Sequence, residues 1–90
     1  MPAGRRHGHM AGVDAHDLAD VSPTAWRLLR VAADFSQRDV ERAVPDLRQA
    51  HVSMLEGGHR GLSGDRLRDL FALYAAELDD EQVAAIVEHF

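Results

Sequence analysis

From Ser22 onward the apolar residues recur three and four positions apart, and each such run ends at a residue suited to stopping a helix. Ser22-Pro23 opens the first run, Ser as a cap and Pro in the first turn, where no N–H is needed. Ala25, Trp26, Leu29, Ala32 and Ala33 then share one helical face, which ends near Asp34. Ser36 with Asp39 three residues on has the spacing of a capping box and predicts a second short helix over 36–44, carrying Val40, Ala43 and Val44 and stopped by Pro45. Asp46 with Gln49 repeats that spacing and predicts a third helix over 47–57, with Leu47, Val52 and Leu55 toward the core and Gly57-Gly58 at its end. The clearest stripe follows Ser63, where Leu67, Leu70, Phe71, Tyr74 and Leu78 keep the i, i+3, i+4, i+7, i+11 series of a core-facing helix. Asp79 or Asp80 restarts a fifth helix over 79–90, with Val83, Ile86, Val87 and Phe90 on one side. No segment alternates at period two for long enough to form a strand, so the expected fold class is all-α with five short helices.

Composition sets the outer bounds. Ninety residues, 46% hydrophobic and 28% charged, suit one soluble domain over 21–90. No apolar run approaches the ~18 residues of a spanning helix and no signal-peptide pattern follows Arg5 and Arg6, so a cytoplasmic location is expected, with no membrane partner. Cys is absent, which excludes disulfides, thiolate zinc sites and a cysteine nucleophile. Residues 1–20 hold Gly4, Gly8, Gly12 and three of the six histidines without an apolar period, and read as a flexible arm in which Met10 is an alternative start. His7, His9 and His16 on that arm lack the companions of a closed zinc site, so no metal is expected; with Arg5 and Arg6 the arm is instead suited to reaching a DNA backbone or minor groove. The net charge of −5 excludes coating of nucleic acid by bulk electrostatics, but the acid is uneven: residues 36–64 are neutral, and 65–90 carry −5. All ten basic residues are Arg, and neither Lys nor Asn occurs, a bias expected of a GC-rich genome and compatible with a salt-loving host.

The helices over 36–44 and 47–57, joined by a tight turn and flanked by helices, have the order of a helix-turn-helix. The stretches Leu29-Arg30, Phe35-Ser36-Gln37 and Val52-Ser53-Met54-Leu55-Glu56-Gly57-Gly58-His59-Arg60 resemble the Xre, Cro and cI phage-repressor-like helix-turn-helix family. That family's pattern runs Arg, a gap, an apolar residue with Ser-Gln, then Ile-Ser-x-x-Glu-x-Gly-x-Arg, and the resemblance covers roughly residues 26–78. It implies a transcriptional regulator that binds double-stranded DNA by laying the third helix in the major groove. By position, Arg48, Gln49 and Ala50 fall at the groove-facing start, and His51, Ser53 and Met54 follow on the exposed side. Gln pairs with adenine, Arg with guanine or a phosphate, and Ala meets a thymine methyl. Gln37 is implied as a phosphate clamp at the start of the second helix, with His59 and Arg60 as backbone contacts at the other edge of the groove. Arg30 and Glu56 are implied as a structural ion pair. The sequence departs from the pattern at Glu41, where the family has Ala, at Pro45, where it has Gly, and by one extra residue between Ser36 and Glu56.

Two further features bear on function. The stripe Val83, Ile86, Val87 and Phe90 must be covered, either by the fourth helix or by a symmetry mate, in which case a homodimer sets two motifs about one DNA turn apart. The rival class is a protein-interaction module, antitoxin-like or adaptor, that keeps the same scaffold and binds a protein through the C-terminal helix. No Ser-His-Asp order, phosphate-binding Gly loop or HExxH run is present, and neither catalysis nor a cofactor is expected.

Overall fold

The computed structural model describes residues 18–59 and 61–90, and among them five helices follow one another with no strand. They are α1 (Pro23–Ala32), α2 (Gln37–Ala43), α3 (Gln49–Glu56), α4 (Gly64–Ala75) and α5 (Asp80–His89). The fold is all-α. No helix among the described residues is long and apolar enough to cross a membrane.

Four of the five helix starts follow from a side chain that accepts an orphan N–H. Ser22 accepts from the Ala25 amide at 3.0 Å with Pro23 at the first helical position, Ser36 and Asp39 bond reciprocally, Ser63 accepts from Arg66, and Asp79 pairs with Gln82 in the same reciprocal way. The ends are equally local. At the end of α1 Asp34 takes φ 67°, and the amides of Asp34 and Phe35 bond back to the carbonyls of Val31 and Arg30. Gly58 does the same after α3 with φ 75°, the Gly58 and His59 amides returning to Leu55 and Met54. In both places one left-handed residue satisfies two terminal carbonyls and turns the chain back toward the core.

The core is built around α1, which packs on α3, α4 and α5 while α2 packs on α3. Trp26 is 1% exposed and sits edge-on to Phe71 at 6.4 Å, with Tyr74 at 6.5 Å and Phe35 behind Tyr74 at 6.1 Å. Leu29, Val40, Leu47, Val52 and Leu70 complete a close-packed interior.

Three sequence expectations change. Leu18 is 1% exposed and Val21 is buried, so the predicted arm over 1–20 ends earlier: an apolar residue without a periodic partner in sequence found its place on the core. The remainder of that arm, with Met10 and the three histidines, lies outside the described residues. The third helix begins at Gln49, not at 47, because Asp46 does not cap it and Leu47 is drawn wholly into the core from the connection. The fifth helix packs chiefly on α1, not on the fourth helix. Val83 is 3% exposed within the chain's own core and is thereby removed from the predicted dimer stripe; Ile86 and Val87 are half-buried, and Phe90 is exposed.

Candidate nucleic-acid interface

The helix α3 is short and holds to the core by one face only. Val52 and Leu55 are buried, while Arg48, Gln49, Ala50 and Ser53 are exposed and His51 and Met54 are half-buried. Eight residues cannot sustain a helix unaided, so its order depends on packing and on what satisfies its two ends.

At its C-terminal end the fastening is ionic. Arg30 on α1 reaches Glu56 with Nε to Oε2 at 2.7 Å and a terminal nitrogen to Oε1 at 3.0 Å, a forked contact, and donates its remaining nitrogen to the Phe35 carbonyl at 2.8 Å. The two side chains are 12% and 6% exposed. Hydrogen bonding to Glu56 holds the Arg30 pKa above even its ordinary high value, against the opposing effect of burial. Gln37 adds its amide to the same carboxylate, Nε2 to Oε1 at 3.2 Å. Its side chain is half-buried and turned toward Glu56, away from the free clamp position expected of it, because the ionised carboxylate oxygen, which also accepts from Arg30, is a stronger acceptor than water. Tyr74 lies under this cluster. Burial raises its phenol pKa, the Glu56 charge adds to that rise, and its hydroxyl finds no hydrogen-bond partner among the described residues.

At the leading end, Arg48 occupies the cap position but carries no acceptor, and two other residues take over the role. His51 Nδ1 accepts the Arg48 amide at 3.2 Å, and Glu41 Oε2, from α2, accepts the Gln49 amide at 2.9 Å. The three-residue spacing in the sequence points to Asp46 as the cap; Glu41 escapes that pattern because its acceptor arrives from eight residues upstream across the Pro45 turn.

Two arginines not singled out from sequence flank the helix. Arg27 borders a polar depression shared with Gln37, Ser53 and Gly57, and Arg66 borders a groove with His51, Met54 and Leu62. The exposed positions within α3, Gln49, Ala50 and Ser53, are thus uncharged, with Arg48 at the cap and a guanidinium on either side. His59 is exposed just past the helix, and the Cβ that Gly57 lacks would come within 2.8 Å of its ring. Arg60 lies outside the described residues. No group of three or more His, Cys, Asp or Glu able to hold a metal ion occurs among the described residues.

Fold and site together define a small helical domain that holds one short helix to its core by a single face. The chain belongs to the family described as Domain of unknown function (DUF8599), whose model matches residues 15–67. That span takes in α1, α2, α3 and the first turn of α4 and leaves α5 outside. No curated protein and no solved structure matches the chain.

Proposed function

We propose that the protein is a sequence-specific double-stranded DNA-binding transcriptional regulator of the phage-repressor-like helix-turn-helix type, with α3 as the element that enters the major groove. The observation that carries this is the leading end of α3: Arg48, Gln49 and Ala50 stand clear of the core while Leu47, Val52 and Leu55 on either side are buried. A neutral, hydrogen-bonding ridge suits base edges, and flanking arginines suit the two phosphate rails of a groove. Arg27 takes the backbone position that resemblance gave to Gln37, whose amide is already engaged. A two-fold pair setting two copies of α3 about 34 Å apart would rest on Phe90 and the exposed flanks of Ile86 and Val87, since Val83 is covered.

The test is a titration against a pool of random duplexes, with selection of the bound fraction, at two salt concentrations. Binding should weaken steeply with salt as counterions are no longer released favourably. In the selected site Gln49→Ala should cost ~1–3 kcal/mol with an unchanged melting temperature. An equal loss on every sequence would give Gln49 a backbone role. Absence of salt-sensitive binding to any duplex rejects the proposal and favours the protein-interaction module, for which the concentration of acid in residues 65–90 speaks.

A further inference from the structure

The family pattern to which the sequence is similar has a small residue where this chain has Glu41, and the structure gives the carboxylate a definite task. Its Oε2 accepts the Gln49 amide at 2.9 Å, joining α2 to the start of α3 across the Pro45 turn. Neither α3's first turn nor its cap residue supplies an acidic group. Glu41 is therefore the carboxylate bonded to that terminus, the place where backbone N–H groups and the helix dipole would otherwise attract a phosphate. Glu41 is half-buried, which limits its freedom to swing away.

We infer that Glu41 is a positioning residue with two coupled effects on DNA binding: it fixes the angle of α3 by clasping it to α2, and it holds a like charge against the phosphates, keeping affinity low and leaving discrimination to the side chains of the ridge. The inference rests on the DNA-binding proposal above.

Glu41→Gln keeps an acceptor oxygen at the same reach and removes the charge; Glu41→Ala removes both. For E41Q the expected result is a rise of roughly three- to tenfold in affinity for preferred and random duplexes alike at about 50 mM salt, fading toward no gain near 0.5 M. Its melting temperature should stay within about 2 °C of the wild type, whereas E41A should lose about 4–8 °C through the missing cap. A merely structural glutamate would not yield a salt-dependent gain at constant stability. Hydrogen exchange at the Gln49 amide reads the clasp without DNA: slow exchange in the wild type and fast exchange in E41A are expected, and an unprotected wild-type amide overturns the inference whatever the variants do. If the wild type binds duplex and a folded E41Q shows no gain, the inference fails and the DNA-binding proposal stands. If the wild type binds at neither salt, the DNA-binding proposal fails and the inference with it, whatever E41Q does.

Discussion

The Arg30–Glu56 contact lends itself to a quantitative test, because its surroundings are closed enough to set a magnitude. Arg30→Ala removes both prongs of the fork and the donor to the Phe35 carbonyl, leaving Glu56, 6% exposed, with the Gln37 amide at 3.2 Å as its remaining partner. Losing one member of a buried pair costs ~3–5 kcal/mol, chiefly through the stranded charge. Arg30 is itself 12% exposed at the rim of the core, and its removal opens a path for water, which places the expected loss near the lower bound, about 3 kcal/mol. In a domain of this size that corresponds to a fall of roughly 12–24 °C in melting temperature. Trp26, the only tryptophan and 1% exposed, reports unfolding through its emission. In urea, with a slope of roughly 1–1.5 kcal/mol per molar, the midpoint should drop by about 2–3 M. A double variant, Arg30→Met with Glu56→Leu, should recover much of the loss by removing the stranded charge as well. An Arg30→Ala protein within about 1 kcal/mol of wild type would refute the reasoning, since it would mean that water already solvates Glu56 in the native state.

Two further predictions concern neighbouring groups. Tyr74→Phe deletes a buried hydroxyl that has no partner among the described residues, so it should be neutral or stabilising by about 1 kcal/mol in the same urea assay, and a loss larger than that would reveal a partner. Asp39 has its pKa lowered, first by the bond it accepts from the Ser36 amide, then by the Ser36 hydroxyl. A carboxylate depressed in the folded state contributes stability that is complete above its unfolded value of about 3.9 and is lost as pH falls through the lower folded value. The gap in urea midpoint between wild type and Asp39→Asn should therefore be widest near neutrality and close below about pH 4; a gap unchanged from pH 6 to pH 3 would exclude charge as its source.

What could be read from the sequence was whatever is encoded within one turn of a helix. Ser36 with Asp39, Ser63 and Asp79 announce their helices because cap and amide are three residues apart, and the stripe from Leu67 to Tyr74 is buried as its period requires. The pairing of Arg30 with Glu56 was accessible only through family resemblance, since nothing local links positions 26 residues apart. Contacts that cross a turn or join distant helices left no comparable signal. Glu41 capping α3, α5 choosing α1 over α4, Gln37 turning inward and Leu18 joining the core each depend on where a second element lies. Arg27 and Arg66 belong to the same class: each is unremarkable in its own helix and meaningful only beside α3.

Leu47 gives the α2–α3 connection a character unlike that of an ordinary surface loop. It is 0% exposed although it belongs to neither helix, and Val44 at the other end of the same connection is buried too. Residues grafted into this segment would have to lift an interior leucine out of its seat, so libraries that diversify it should yield mostly unfolded clones, whereas randomising positions 49, 50 and 53 should leave expression intact. For anyone varying this scaffold, the tolerant positions lie on the rod itself, and the segment that leads into it must be inherited whole.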